Sequence, residues 1–208
     1  MTNKTAASRE KMIEATISLM RRSGLSGAGI NQIVKESGAP KGSIYYFFPA
    51  GKRQIVSEAL AVYGERGVSA WDAILSKAEE PDRKIRALFD AISLRLEQGR
   101  FRQSCAAGAA SLDLEDDLEV VRVAIATVFK SWIQVIAKHF PIDDADRRRS
   151  FAGLILTVIE GAFIRARAER SLQPFGDAAE WLAQIAKQEV ARTHHANKKS
   201  RRVRLQRR

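Results

Sequence analysis

Apolar residues recur at helical spacing along most of the chain, and this pattern limits the fold more than any other feature. Ile13, Ile17 and Met20 follow one another at intervals of four and three residues, which places them on one face of a helix. Pro is scarce, at 5 of 208 residues, while Ala, Leu, Ile, Arg and Glu are abundant. This balance favours helices over strands. The sequence therefore predicts an all-α fold.

Capping residues and helix breakers indicate where the helices begin and end. Ser8 is suited to cap the first helix, Gly24 to stop it, and Asp143 or Asp144 to cap a late one. Pro40 suits the first turn of a helix, where its missing N–H is not needed. The predicted helices are 8–23, about 30–37, 41–47, 53–79, 82–98, a short one within 99–115, 116–139, 145–171 and 177–193.

Composition excludes several classes of protein. Hydrophobic residues make up 45% of the chain, enough to fill a core, so the chain is not disordered throughout. The single cysteine, Cys105, has no partner for an internal disulfide, as is typical of a reducing compartment. No apolar run approaches the roughly 20 residues that span a bilayer, and residues 1–11 lack the apolar stretch of a signal peptide. We expect a cytoplasmic protein with no membrane partner.

The net charge of +11 is concentrated at the two ends of the chain. Residues 1–50 hold seven Lys or Arg against three acids, and residues 192–208 hold eight against none. Residues 51–191 hold 20 basic and 21 acidic side chains and are nearly neutral. Basic ends attract polyanions, of which nucleic acid and anionic membrane are the candidates. For residues 196–208, predicted to be a disordered basic tail, simple solvation is the alternative.

Residues 30–48 have the pattern of a helix-turn-helix. Two short helices are joined by a tight turn at Gly38-Ala39, and Ile44 and Phe48 are suited to anchor the second helix against its neighbours. A recognition helix also needs small residues that let the backbone approach phosphates and side chains that reach a groove. The small residues are Gly42 and Ser43, and the reaching side chains are Lys41, Tyr45 and Tyr46.

The four consecutive aromatic residues Tyr45–Phe48 bear on this interpretation in two ways. They could all belong to the core, which is the usual place for aromatic side chains. However, four consecutive residues cannot all face one side of a helix, because successive side chains point about 100° apart. One or two of the rings are therefore predicted to be exposed.

The stretch from Ile13 to Leu60 resembles the DNA-binding domain of the TetR family of transcriptional regulators. The resemblance includes spacing as well as residue type. Segments GAPKGSIYYFFPAGKRQI (38–55), SCAAGAASLD (104–113) and VIEGAFIRARAERSLQPF (158–175) resemble the LmrA/YxaF-like branch in particular. The residues that carry the family pattern are Ile33, Val34, Gly38, Ile44, Tyr45, Phe48 and Lys52.

Two positions depart from the pattern of the resembled family. The second helix usually begins with Thr or Ser, and here Ala28 stands in that place, unless Ser26 or Gly27 shifts the start. Loss of such a cap costs about 1 kcal/mol. A His often precedes the Phe that ends the third helix, and here the residue is Phe47. One potential phosphate donor is therefore missing.

The resemblance implies a DNA-contacting surface. Tyr45 and Lys52 match positions that contact the DNA backbone in the family, while Lys41 and Tyr46 are the candidates for contacts to base edges. A dimer would bind a near-palindromic operator in double-stranded DNA, with half-sites about 34 Å apart. The predicted DNA-binding residues are Pro40, Lys41, Gly42, Ser43, Tyr45, Tyr46, Phe47 and Lys52.

The resemblance also implies three segments: a helix-turn-helix domain at 8–52, a helical effector-binding and dimerisation domain at 53–195, and the tail. The helix predicted at 145–171 is apolar around most of its circumference, which suggests a second subunit on its outer side. The family binds small molecules inside the second domain and is typically released from its operator by them. Residues that could line a site for a small hydrophobic effector are Trp71, Phe89, Ile92, Leu96, Cys105, Phe129, Trp132 and Phe163, and each is also a plausible core residue.

No catalytic or metal-ligating constellation stands out in the sequence, and we expect neither an enzyme nor a bound cofactor. His139, His194 and His195 each lack a second His at a spacing of three or four residues. Gly51-Lys52 lacks the spacing of a P-loop. An all-helical enzyme or carrier would leave the motif at 38–52 unexplained, and a nucleoid-type DNA binder would leave the second domain unexplained. Together with the resemblance, these observations predict a ligand-responsive repressor.

The basic tail leads to a first prediction. Deleting residues 196–208 removes seven cations, and cations on a flexible segment bind phosphates by counterion release, which does not depend on base sequence. Binding to operator and to random duplex should therefore fall by similar factors at low salt, and the difference should fade as salt rises. Fluorescence anisotropy over a salt series measures both affinities. A loss confined to the operator would show instead that the tail reads a groove.

Overall fold

In a computed structural model the described residues are 3–40, 42–115 and 118–206, with side chains described for 6–40, 42–115 and 118–193. Within these ranges the secondary structure is entirely helical, which confirms the predicted fold class. The helices are α1 (Asn3–Gly27), α2 (Ile30–Ser37), α3 (Ser43–Phe47), α4 (Lys52–Ser76), α5 (Pro81–Gln98), α6 (Ala106–Ser111), α7 (Glu119–Lys138), α8 (Ala145–Glu169) and α9 (Gln173–Gln206).

The chain forms two compact units whose boundaries differ from the predicted ones. The first unit comprises Met1–Gly67 with Gly99–Ser131, and the second comprises Val68–Gln98 with Trp132–Arg208. The predicted boundary at residues 52 and 53 therefore lies inside the first unit. The reason is the segment around α6: it packs against α1, although it follows α5 in the chain. The order of the helices along the sequence does not reveal that the segment around α6 folds back onto α1.

The first unit is built on the apolar stripe of α1. Met12, Ile13, Ile17 and Met20 are all buried, as their spacing predicts. Regular helix geometry is interrupted at Ser23 and Gly24, where Gly24 has a φ of +66°. The predicted stop at Gly24 is thus present as a break, after which one short turn continues to Gly27.

The second unit packs α9 against α5 and α8. Phe175 at the start of α9 lies between Phe89 of α5 and Phe163 of α8, with ring centroids 6.2 and 5.3 Å away respectively. Farther along α8 and α9, the Arg147 guanidinium of α8 forms a two-pronged ion pair with the nearly buried Glu189 of α9. This contact holds the pKa of Glu189 below its ordinary value, chiefly through the hydrogen bond from Arg147.

The cap predicted for α8 is confirmed. The Asp144 carboxylate accepts hydrogen bonds from the backbone N–H groups of Asp146 and Arg147, both at 3.0 Å. These N–H groups have no acceptor within the helix. A negative charge at the helix N-terminus also interacts favourably with the positive end of the helix dipole. The helix therefore begins at Ala145, as its sequence predicts.

Helix α7 is long and strongly apolar. By length and composition it is the one helix among the described residues that could cross a membrane. Sequence reasoning expected no such segment. Its inward-facing residues, including Val121, Ile125, Trp132 and Ile136, are buried by the protein itself. In all, 33% of its most apolar stretch is buried inside the protein.

The C-terminal segment differs from its prediction. Helix α9 was expected over 177–193 with a disordered tail from 196, but it begins at Gln173 and continues to Gln206. Residues 177–206 contain neither Pro nor Gly, and Lys, Arg, Gln and Leu favour helix. Extending an existing helix also avoids the cost of nucleating a new one.

Candidate nucleic-acid interface

The turn between α2 and α3 is fixed by local hydrogen bonds. Gly38 ends α2 in the left-handed conformation, with φ +65° and ψ +15°, which a residue with a side chain adopts at a cost. The backbone N–H of Ala39 then donates to the Ser37 hydroxyl at 3.3 Å. Ser43 donates to the Pro40 carbonyl from its N–H at 2.9 Å and from its hydroxyl at 2.6 Å. These bonds turn the chain into α3, as the sequence motif predicts.

Helix α3 has one buried and one exposed face. Ile44 and Phe48 are both fully buried, which confirms them as the anchors of the helix. Tyr45 and Tyr46 are 59% and 70% exposed, so two of the four consecutive aromatic rings face solvent, as predicted. Phe47 is half-buried, with its ring 5.1 Å from that of Tyr46. The exposed face therefore presents two phenol groups on a well-anchored helix.

Contacts from α1 and α4 hold the end of α3. The Arg9 guanidinium lies over the Phe48 ring, 5.1 Å from its centroid, and forms an ion pair with Glu58 of α4. Such a cation–π contact stabilises the packing by about 0.5–2 kcal/mol. The Gly51 N–H donates to the Phe48 carbonyl at 2.8 Å and leads directly into α4. Two helices thus fix the position of α3.

Lys52 has a partner inside the protein. Its side chain is half-buried, and Nζ donates to the Leu25 carbonyl at 2.7 Å, which ties the start of α4 to the end of α1. An ammonium group has three donors, so this bond leaves capacity for a phosphate. Sequence reasoning assigned the phosphate contact and missed the internal bond, because Leu25 lies 27 residues away in the chain.

Helix α2 does not take its N-cap from Ala28, Ser26 or Gly27, the positions considered from the sequence. Gly29 is the N-cap, and no side chain caps the helix. Ala28 is fully buried, so it acts as a packing residue. The Glu36 carboxylate in the last turn of α2 pairs with Arg22 of α1. The hydrogen bond from Arg22 lowers the pKa of Glu36, which keeps the pair charged and joins the two helices.

The remaining predicted DNA-binding residues lie close together in the turn and in α3. Pro40 and Gly42 are exposed, and Ser43 is half-buried. Lys41 lies outside the described residues. Together with Tyr45 and Tyr46 these residues form a short, exposed turn-and-helix surface.

The predicted effector residues divide between the two units. Cys105 and Phe129 belong to the first unit, and the other six belong to the second. In the second unit the Trp71 and Trp132 rings contact each other, with centroids 4.7 Å apart. Phe89 and Phe163 both contact Phe175, a residue that sequence reasoning missed. The candidates there are two aromatic clusters: Trp71 with Trp132, and Phe89 with Phe163 and Phe175.

The small residues in and around α6 pack against α1. Cys105 is the N-cap of α6 and is buried, and its Sγ accepts a hydrogen bond from the Gly108 N–H. Ala106, Ala107 and Ala110 are fully buried, in a helix that packs against α1. Their small size serves this close packing.

Among the described residues, no group of His, Cys, Asp and Glu is arranged to hold a metal ion.

This geometry, two short helices joined by a tight turn with an anchored and exposed second helix, defines a helix-turn-helix DNA-binding protein. Comparison with known proteins agrees. Residues 12–59 match the model of the bacterial regulatory proteins of the tetR family. Residues 81–181 match the C-terminal domain of LmrA/YxaF-like transcriptional regulators. The chain therefore belongs to the TetR family of transcriptional regulators, which are not enzymes.

Individual relatives are similar over most of their length. An HTH-type transcriptional regulator of Mycobacterium tuberculosis is 32% identical over 173 residues, covering 80% of this chain and 87% of the relative. The HTH-type transcriptional regulator LmrA of Bacillus subtilis is 28% identical, covering 80% of this chain and 90% of the relative.

Solved structures show the same fold at lower identity. The regulatory protein TetR of Rhodobacter sphaeroides superposes with a TM-score of 0.75 at 21% identity, over 85% of this chain and 97% of that one. A CifR cysteine mutant, solved with 26-bp double-strand operator DNA, has a TM-score of 0.73 at 17% identity, over 85% and 95% of the two chains.

The two exposed tyrosines should have separable roles. Replacing Tyr45 by Ala should weaken binding to operator and random duplex by similar factors, whereas Tyr46→Ala should mainly reduce the ratio between them. Because both side chains are exposed, each change should alter the free energy of unfolding by less than about 0.5 kcal/mol. Phe48→Ala is the contrasting control, since removing a buried Phe costs about 3–5 kcal/mol. Equal effects of Tyr45→Ala and Tyr46→Ala on the specificity ratio would contradict this division.

Proposed function

We propose that the protein is a ligand-responsive repressor that binds a near-palindromic operator as a homodimer and is released by a small hydrophobic molecule. The observation that carries the DNA part is the anchored α3 with its exposed Tyr45 and Tyr46. A cytoplasmic location follows from this role. The aromatic clusters of the second unit support an apolar effector, since apolar ligands are held mainly by burial, at about 25 cal/mol per Å².

A phosphate contact by Lys52 is part of this proposal. In Lys52→Ala, the slope of log affinity against log salt should become shallower by about one, because one fewer counterion is released. An unchanged slope together with weaker binding would mean that Lys52 acts only through its bond to Leu25.

An apolar face on α8 and α9 supports a homodimer. Leu154, Gly161 and Ile164 of α8 are exposed at intervals of seven and three residues, which places them on one side of the helix. Ile164 is 62% exposed, and Trp181 of α9 is 68% exposed. Large exposed apolar side chains at helical spacing are typical of an interface. Ala162, next to Gly161 in the chain, lies in the protomer's own core.

The homodimer is tested by placing a charge on this face. Ile164→Glu should release folded monomers, because an unpaired buried charge in an interface costs several kcal/mol, while the exposed position leaves the protomer's own core intact. Val120→Glu is the matched control, since Val120 is 59% exposed on α7. Sedimentation velocity at micromolar concentration reports both. Wild-type monomers, or a dimer that survives Ile164→Glu, would contradict the proposed interface.

The effector is tested in two ways: by the release of DNA, and by enlarging a buried side chain of α5, the helix that carries Phe89. Apolar and aromatic compounds are screened for release of a labelled operator. Their binding is followed by tryptophan emission in Trp181→Phe, a variant in which Trp71 and Trp132 are the tryptophans that remain. Ile92→Phe adds bulk at a buried position of α5 and should abolish release while DNA binding persists. Leu94→Phe, at a site 50% exposed on the same helix, is the control and should respond normally. A normal response of folded Ile92→Phe would place the effector elsewhere.

A further inference from the structure

The C-terminal end of α1 is held from both sides by residues 104–113, which we call the α1 clasp. At one end of the clasp, the Ser104 N–H donates to the Arg21 carbonyl at 2.7 Å, and Arg21 Nε donates to the Ser104 carbonyl at 3.1 Å. At the other end, Asp113 Oδ2 accepts from the backbone N–H and the hydroxyl of Ser26, both at 3.0 Å. Helix α6 lies between these contacts. Four polar bonds thus join chain segments more than 80 residues apart.

Gly24 shows how closely the clasp approaches α1. With φ +66° and ψ −160°, Gly24 lies in a region open essentially to glycine alone. A Cβ built there would lie 2.3 Å from Asp113 Oδ2 and 3.1 Å from the Ala109 carbonyl oxygen. The break in α1 and the close approach of the clasp therefore occur at the same residue.

The same end of α1 also holds the start of α4. The Leu25 carbonyl, one residue before Ser26, accepts from Lys52 Nζ at 2.7 Å. Lys52 follows Gly51, whose N–H is bonded to the carbonyl of the α3 anchor Phe48. A continuous series of contacts therefore runs from Asp113 through Ser26 and Leu25 to Lys52 and α3. All of them lie within the first unit.

We propose that Asp113 is a positioning residue for DNA binding. By accepting from Ser26, its carboxylate fixes the turn that presents the Leu25 carbonyl to Lys52, and this in turn sets where α3 stands. Asp113 lies 65 residues beyond the helix-turn-helix (residues 30–48) in sequence and reaches no base or phosphate in this role. The inference requires only that the protein binds DNA and does not depend on an effector.

A residue that merely stabilises the fold would behave differently. If Asp113 contributed only to the free energy of unfolding, its loss would lower the melting temperature, yet protein still folded at the assay temperature would bind DNA with full affinity. A positioning residue changes the affinity of fully folded protein. It should also change specific binding more than random binding, because only specific binding requires α3 to match base edges.

The test uses the full chain and a duplex that the wild-type protein selects from random sequence. Asp113→Ala should weaken binding to this duplex about tenfold, as expected for losing hydrogen bonds to a charged acceptor, and binding to random duplex less than about twofold. Asp113→Asn keeps an oxygen that accepts from Ser26 and should recover most of the affinity. Glu119→Ala, which removes an acid paired with Arg122 on its own helix, controls for the change in net charge and should bind like wild type.

Two further variants keep the proposal testable if Asp113→Ala folds poorly. Ser26→Ala removes one of the two donors and should give a smaller loss in the same direction. In a double-mutant cycle, Lys52→Ala combined with Ser26→Ala should lose less than the sum of the single losses, since both changes act on one turn. Additive losses, or folded Asp113→Ala that binds the selected duplex as tightly as Glu119→Ala, would overturn the proposal.

Discussion

The exposed face of α3, which we propose contacts DNA, depends on the burial of two side chains, Ile44 and Phe48, in a helix of five residues. A helix this short has no stability of its own in water, because nucleation costs more than its few hydrogen bonds return. Its conformation and its position therefore come from packing. The Arg9 guanidinium above Phe48 and the hydrogen bonds that Ser43 donates to the Pro40 carbonyl add to that support. Tyr45 and Tyr46 are left facing outward because the anchors occupy the opposite face.

Packing of α6 against α1 makes the DNA-reading unit larger than a helix-turn-helix. A clasp whose small residues fit the glycine break in α1 adds residues from the middle of the chain to the first unit. Fixed polar contacts at both ends, to Arg21 and Ser26, orient the end of α1, and through Leu25 and Lys52 that orientation extends to α4. A reader helix that must match base edges benefits from such support, since affinity for a specific site depends on small displacements.

Local features were predictable from the sequence because their causes lie within a few residues. Helical periodicity explains the stripe of α1 and the exposure of Tyr45 and Tyr46 next to the buried Phe48. Capping chemistry explains the turn at Gly38 and the Asp144 cap. The contacts that could not be predicted join residues distant in sequence. The small residues after Cys105 pack against α1, which lies about 80 residues earlier in the chain. The burial of Ala162 could not be predicted either, because both sides of α8 are apolar.

The sequence by itself determined the helical fold, the helix-turn-helix and the anchors of α3, since each is set by residue type and spacing over a few turns. It also determined the uneven charge, which composition alone fixes. Only the tertiary structure decided which apolar residues of α8 face the protomer's own core, that Lys52 bonds to Leu25, and that Asp113 reaches Ser26. Those outcomes depend on how helices far apart in the chain meet, and periodicity specifies that a face is buried without specifying what buries it.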